Sequence, residues 1–225
     1  MVTQVFSLQY PDEALECIAA GIDQIGILLG DESCPACVTL EQAREVFKAV
    51  DHRAVKVAII MVRDEERIID IAKEIRPDIV HLCDEIVFAT KPFADRLKAA
   101  VPGIKLMQGV PVDGPESVAL AKSYEGIVDF IMTDTSCSYG IGASGKTHDW
   151  EIDRRIVEEV NIPVVMAGGL GPDNVADAIY KVRPYAVDSL TRTSVVENGK
   201  VIRKDIEKVR AFVKNARLAA MDITK

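Results

Sequence analysis

Asp134 ends an apolar run, residues 130–133, that has the composition of a buried β-strand. In α/β proteins, a side chain at the carboxyl end of a strand faces the ligand-binding end of the fold. A carboxyl group placed there can act as a general acid or base, whereas a loop-capping aspartate is the simpler interpretation of such a residue in isolation. We interpret Asp134 as a candidate catalytic acid–base residue.

A long loop rich in small residues follows Asp134. Gly142, Ser144 and Gly145 lie in this loop. Small side chains allow a loop to close over a bound molecule, although a solvated surface loop has a similar composition. We expect these three residues to contact a substrate.

Two later loops favour phosphate binding. Gly168 and Gly169 follow a strand, which lets the backbone approach a ligand closely, and a helix expected to begin near Pro172 points its N–H groups at the same place. The next strand is followed by hydroxyl groups and one cation. Two such loops in succession form the phosphate site typical of α/β barrels, whereas a glycine pair alone makes only a tight turn. The predicted phosphate-binding residues are Gly168, Gly169, Thr191, Arg192 and Thr193.

The elements that position these residues alternate regularly along the chain. The predicted strands cover residues 4–8, 24–29, 55–62, 78–82, 105–108, 130–133, 164–167 and 186–189, with helical patterns between them. Several strands are apolar on consecutive residues, as is typical of strands covered on both faces. A doubly wound sheet is the rival architecture, but eight nearly even units favour closure. We predict an α/β fold, a single (β/α)₈ TIM barrel formed by residues 1–225.

Composition limits the classes of partner. The 225 residues are 48% hydrophobic and 28% charged, as expected for a globular domain, and the net charge of −8 argues against nucleic acid as the main partner. We see no signal peptide, and the longest apolar run is too short to span a membrane. We expect a cytoplasmic protein, with a small phosphorylated metabolite as its partner and a homodimer as one possible assembly.

Four of the five cysteines follow predicted strands. Cys34 and Cys37 form a C-x-x-C pair, Cys83 follows the fourth strand, and Cys137 follows the sixth. Such a pair can be a redox dithiol or half of a zinc site, but a second C-x-x-C pair is absent. We expect reduced thiols, no metal and no cofactor. A thiol-dependent or metal-dependent enzyme that uses these cysteines stays open as an alternative.

Four segments together resemble the phosphoribosylanthranilate isomerase family of tryptophan biosynthesis. Asp134-Thr-Ser and the stretch from Gly142 to Trp150 are similar to the strand-six aspartate of the family and its Gly-Gly-Thr-Gly-Lys-x-Phe-Asp-Trp loop. The segment from Ala167 to Val175 resembles the Ala-Gly-Gly-Leu phosphate loop of the family. Cys34-Pro-Ala-Cys-Val38 resembles its Ser-Pro-Arg-x-Val segment. The resemblance extends over almost the whole chain and implies an isomerase on a TIM barrel.

The resemblance also implies a reaction, an Amadori rearrangement of an N-linked phosphoribosyl amine. A general acid, matching Asp134, protonates the ring oxygen, and a general base then removes the C2 proton. Phe6 occupies the position of the family's basic cysteine, and Ala36 that of the arginine that holds the substrate carboxylate. A general base typically contributes about 10²–10⁴-fold in rate. These departures predict that the family reaction is impaired unless Cys83, Cys137 or another group replaces the base.

The sequence therefore predicts acid–base isomerase or lyase chemistry on a phosphorylated sugar or related phosphate ester. A non-catalytic phosphate-binding barrel is the second hypothesis, and the thiol-dependent or metal-dependent enzyme is the third. Turnover of a sugar phosphate separates the first hypothesis from the second, and metal analysis tests the third.

Overall fold

The computed structural model describes residues 1–30, 37–83, 87–137, 140–141 and 147–223. Its main strands are β1 (Val2–Val5), β2 (Gln24–Leu29), β3 (Val55–Ile60), β4 (Ile79–Leu82), β5 (Lys105–Pro111), β6 (Phe130–Asp134), β7 (Val164–Met166) and β8 (Ala186–Ser189). They pair in parallel in the order β1-β8-β7-β6-β5-β4-β3-β2, and a further pairing of β1 with β2 closes the sheet. The predicted closed barrel is confirmed.

The helices lie between the strands in the chain. They are α1 (Pro11–Ala19), α2 (Leu40–Val50), α3 (Glu65–Ile75), α4 (Lys91–Ala100), α5 (Glu116–Ser123), α6 (Trp150–Glu159), α7 (Val175–Val182) and α8 (Ile206–Ile223). Among the described residues, we find no helix with the length and apolar composition needed to cross a membrane.

Burial on both faces explains the unbroken apolar strands. In β3, Val57 and Ile59 belong to a cluster inside the barrel, whereas Ala58 and Ile60 belong to the larger cluster between sheet and helices. Because side chains alternate along a strand, each barrel strand supplies both apolar layers.

The first strand begins and ends earlier than predicted. It covers Val2–Val5 rather than residues 4–8. Thr3 donates from both its backbone N–H and its hydroxyl to Asp23 Oδ2, each at 2.9 Å, which fixes the start of the strand. Ser7 has a φ of 72°, a left-handed conformation that ends the extended segment. Phe6 and Ser7 therefore lie in the loop after β1.

Local hydrogen bonds explain where two helices begin, and one predicted helix start is wrong. The Gln42 N–H donates to Thr39 Oγ1 at 3.2 Å and the Thr39 N–H donates to Gln42 Oε1 at 2.9 Å, which is a complete capping box before α2. By contrast, α7 begins at Val175 instead of near Pro172. The reason is that Asn174 Oδ1 accepts the Gly171 N–H at 2.8 Å, which holds the preceding residues in a turn.

A β-hairpin not predicted from the sequence precedes α8. Its strands, Ser194–Glu197 and Lys200–Lys204, pair antiparallel around Asn198 and Gly199, which have φ values of 50° and 76°. An Asn-Gly pair between short strands is a strong hairpin signal, so the sequence did contain the information. The hairpin places Lys204 beneath the loop that follows β8.

Gly26 and Phe6 provide a test of packing inside the barrel. A Cβ atom on Gly26 would lie 2.3 Å from Phe6 Cδ1, so Gly26→Ala should lower the free energy of unfolding by about 1–3 kcal/mol through overpacking. Phe6→Ala should lower it by about 3–5 kcal/mol. Urea unfolding of the double variant should show a loss smaller than the sum, because Phe6→Ala makes room for the added methyl group. Additive losses would contradict this contact.

Candidate active site

Asp134 lies at the carboxyl-terminal mouth of the barrel, as predicted. It is the last residue of β6, and its Oδ1 accepts the Thr135 N–H at 2.7 Å. Burial raises the pKa of Asp134 to about 6, against the opposing effects of that hydrogen bond and of the neighbouring His148. A carboxyl group that titrates close to neutral pH can both donate and accept a proton.

Asp188 is a second carboxyl group at the same mouth. It lies on β8, and its Oδ1 accepts Gln4 Nε2 at 3.1 Å. Burial raises the pKa of Asp188 to about 7, and the charge of Asp134 raises it further, whereas Gln4 and Lys204 oppose the shift. Both carboxyl groups border one cavity. The sequence analysis did not select Asp188, although its position at a strand end was the same signal that identified Asp134.

The two predicted phosphate loops border this cavity as well. Gly169 and Thr191 line it beside the two aspartates. Ser189 Oγ donates to the Leu170 carbonyl oxygen at 2.6 Å, and Arg192 Nη1 donates to the Gly169 carbonyl oxygen at 3.1 Å. The loops after β7 and β8 thus form one connected surface.

The side chains of Arg192 and Thr193 are already engaged in this surface. Arg192 forms an ion pair with Asp173. Thr193 is buried, and its hydroxyl donates to the carbonyl oxygens of Ser189 and Leu190 at 3.3 and 3.2 Å. Both side chains hold the loop in shape, so backbone N–H groups are the donors best placed for an anion.

A buried histidine–aspartate pair supports the loop after β6. His148 Nδ1 lies 2.8 Å from Thr135 Oγ1, and His148 Nε2 lies 2.5 Å from Asp153 Oδ2. The Asp153 side chain is completely buried and that of His148 is 5% exposed. Gly168, with a φ of 83°, packs against this pair, and a Cβ atom there would lie 2.6 Å from Thr135 Oγ1 and 2.7 Å from the imidazole. The pair joins the loops after β6 and β7, and the sequence analysis did not predict it.

Phe6 occupies the position to which the family resemblance assigns a basic cysteine. Its side chain is buried inside the barrel, and its ring centroid lies 5.7 Å from that of His81. Burial lowers the pKa of His81 to about 3, so this imidazole is neutral and not a ready base at neutral pH. Cys83 packs against the same apolar cluster at partial exposure.

The cysteine predictions are corrected in part. Cys37 forms a disulfide bond, so the expectation of reduced thiols is wrong for this residue. The C-x-x-C spacing is compatible with a disulfide bond, because it lets two sulfur atoms come close to each other. Among the described residues, no group of three or more His, Cys, Asp or Glu side chains could hold a metal ion. Cys34, Ala36, Gly142, Ser144 and Gly145 lie outside the described residues, as does the side chain of Cys137.

A further cleft lies at the opposite end of the barrel. Lys56, Arg76, Asp78 and Ile104 line it near the amino ends of β3, β4 and β5. Active sites of these barrels lie at the carboxyl ends of the strands. We therefore place the candidate active site at the cavity of Asp134 and Asp188.

Two titrating carboxyl groups at the mouth of a closed barrel place this chain in the class of (β/α)₈ barrels suited to acid–base chemistry. Within that class, the model of the family described as N-(5'phosphoribosyl)anthranilate (PRA) isomerase matches residues 5–215. The chain therefore belongs to this isomerase family.

Named relatives agree with the family. The N-(5'-phosphoribosyl)anthranilate isomerase of Methanocella arvoryzae is 34% identical, with 92% of this chain and 94% of the relative covered. The enzyme of the same name from Haloferax volcanii is 36% identical over 89% of this chain and 86% of the relative.

Solved structures of the family share the fold. The phosphoribosyl anthranilate isomerase of Thermotoga maritima has a TM-score of 0.81 and 26% identity, covering 96% of this chain and 99% of that one. A second structure, of the isomerase in complex with reduced 1-(o-carboxyphenylamino)-1-deoxyribulose 5-phosphate, has a TM-score of 0.78 at 23% identity and the same coverage.

The His148–Asp153 pair provides a stability test. His148→Phe should lower the free energy of unfolding by about 3 kcal/mol or more, because it leaves the Asp153 carboxylate buried without its imidazole partner. Urea unfolding at pH 7 measures the loss. His52→Phe is the matched control, since the His52 side chain is 92% exposed and its replacement should change little. Equal effects of the two substitutions would contradict a stabilising buried contact between His148 and Asp153.

Proposed function

We propose that this chain isomerises an N-linked phosphoribosyl amine, phosphoribosylanthranilate being the first substrate to test, with Asp134 and Asp188 as its acid–base pair. One observation carries the proposal: the two carboxyl groups border the same cavity as the predicted phosphate loops. The names of the relatives support the substrate class.

The proposed reaction needs one proton to be given and one to be taken. Asp134 protonates the ring oxygen, the C1–O bond breaks, and the nitrogen lone pair forms an imine. A carboxylate then removes the C2 proton, and the resulting enol-amine becomes the ketose. Burial raises the pKa of Asp134 to about 6 and that of Asp188 to about 7, so the two groups together pass from two protons to none around neutral pH. The productive form is the one-proton form in which Asp134 carries the proton and Asp188 is ionised.

Strand pairing supports Asp188 as the base. Gln4 of β1 is the register partner of Asp188 on β8, and Phe6 follows Gln4 by two residues. The family places its basic cysteine where this chain has Phe6. Asp188 therefore lies on the strand next to β1, two residues short of the register position of Phe6.

The proposed pair predicts a bell-shaped pH dependence. The rate should fall below about pH 6, where both carboxyl groups are protonated and no base is present. It should fall again above about pH 7, where both are ionised and no acid is present. Asp134→Asn and Asp188→Asn should each lower kcat by about 10²–10⁴-fold in a fluorescence assay of phosphoribosylanthranilate turnover.

Asp177→Asn is the matched control for these variants, because Asp177 is an exposed residue on α7 and should not affect kcat. Phe6→Cys should partly restore the rate of Asp188→Asn by placing a base directly after β1. Full activity of Asp188→Asn would contradict the assignment of Asp188 as the base. Phosphate binding without any turnover by the wild-type protein would instead favour the non-catalytic hypothesis.

Gly169→Asp should abolish phosphate binding. Gly169 has a φ of 63° and lines the cavity, so an aspartate adds both backbone strain and a negative charge against the anion. Calorimetric titration with inorganic phosphate measures the effect. Gly103→Asp is the control, because Gly103 has a similarly left-handed φ of 89° at the other end of the barrel. Unchanged affinity of Gly169→Asp would place the phosphate elsewhere.

A small phosphorylated metabolite is the partner that we propose. One related structure is described as monomers generated from the dimeric isomerase of Thermotoga maritima. For this chain, a homodimer and a cytoplasmic location stay predictions. The thiol-dependent or metal-dependent alternative also stays a prediction.

A further inference from the structure

Lys204 is a buried cation that the proposed reaction does not use. It ends the hairpin before α8 and is 1% exposed. Its Nζ donates to the carbonyl oxygens of Leu190 and Ser189 at 2.9 and 3.4 Å, and to the hydroxyl oxygens of Ser194 and Thr193 at 3.1 and 3.2 Å. All four acceptors are uncharged, and they lie between the last residue of β8 and the first residue of the hairpin.

The acidic groups around Lys204 have other partners. Glu13 on α1 accepts the backbone N–H groups of Lys204 and Gln9, and Asp188 on β8 accepts Gln4. Cys17, also on α1, is a thiol whose pKa burial raises to about 12, so it is neutral. Within the described part of the chain, the Lys204 ammonium forms no ion pair. A buried charge without a direct counterion is costly, and burial lowers its pKa to about 8.

The hydrogen bonds of Lys204 also orient the loop. In a trans peptide unit, the C=O and the next residue's N–H point in opposite directions. Because the carbonyl groups of Ser189 and Leu190 point inward to Lys204, the N–H groups of Leu190 and Thr191 point outward. Leu190 and Thr191 line the cavity that Asp134 and Asp188 border.

The other cation of this loop has a counterion already. Arg192 is ion-paired with Asp173 and donates to the Gly169 carbonyl oxygen. Lys204 therefore supplies a positive charge behind the loop, and no carboxylate among the described residues forms a direct ion pair with it.

We propose that a phosphate monoester dianion, held by the outward N–H groups of the loop at residues 189–194, is the counterion of Lys204. Lys204 does not touch the ligand and acts as a positioning residue, through the loop and through its charge. The inference rests on the proposed function only in placing the phosphate at this loop.

Inorganic phosphate tests the inference without any turnover. Lys204→Met should weaken phosphate binding by about tenfold or more in calorimetric titration, because it removes both the charge and the donors that orient the loop. Lys200→Met is the matched control, since Lys200 is an exposed lysine of the same hairpin, and its affinity should match the wild type. Circular dichroism establishes that both variants are folded. Equal affinities of folded Lys204→Met and wild type would overturn the inference.

A measurement on the wild-type protein covers the case in which Lys204→Met does not fold. The ¹³Cε resonance of Lys204 should titrate at a higher pH when inorganic phosphate is bound, by about one unit or more, because the anion stabilises the ammonium. An unchanged midpoint, or no phosphate binding at all, would overturn the inference. If the shift is seen but phosphoribosylanthranilate is not turned over, the role of Lys204 stands and the proposed isomerisation fails.

Discussion

Closure of the sheet is the constraint on which the site depends. A parallel sheet that closes must give β1 hydrogen-bond partners on both sides, and Gln4 is accordingly in register with Asp188 of β8 and Gln24 of β2. Because all eight strands run in the same direction, their carboxyl ends meet at one mouth. Asp134 and Asp188 are far apart in the chain but close in the barrel, so the charge of Asp134 raises the pKa of Asp188. The same closure buries Phe6 inside the barrel.

Desolvation at the mouth has opposite consequences for acids and bases. It raises the pKa of Asp134 and Asp188 and lowers those of His81 and Lys204. In each case burial disfavours the charged form, so the aspartates hold protons more tightly and the lysine more loosely. The shifts bring the aspartates towards neutral pH, where acid–base chemistry is effective. Exclusion of water by the fold thus determines the pKa values of these side chains, and with them their capacity for proton transfer.

The structure shows what the side chains contact at two positions that depart from the family pattern. Phe6, at the place of the basic cysteine, packs against His81 and leaves room for no side chain on Gly26. His148, at the place of a phenylalanine, pairs with the buried Asp153 and contacts Thr135 next to Asp134. At these two positions the barrel therefore contains the buried His148–Asp153 pair and the buried aromatic ring of Phe6.

The sequence by itself determined the architecture and much of the site. Apolar runs alternating with helical patterns predicted the eight units, and strand-end position identified Asp134 and the two loops, because both signals are local in the chain. Asp188 as a second titrating carboxyl group, the His148–Asp153 pair and the buried Lys204 were decided only by the tertiary structure. Their properties arise from burial and from contacts between distant segments, such as Lys204 with the loop after β8. Local pattern carries no information on which polar side chains lose their water, since that depends on how the barrel closes.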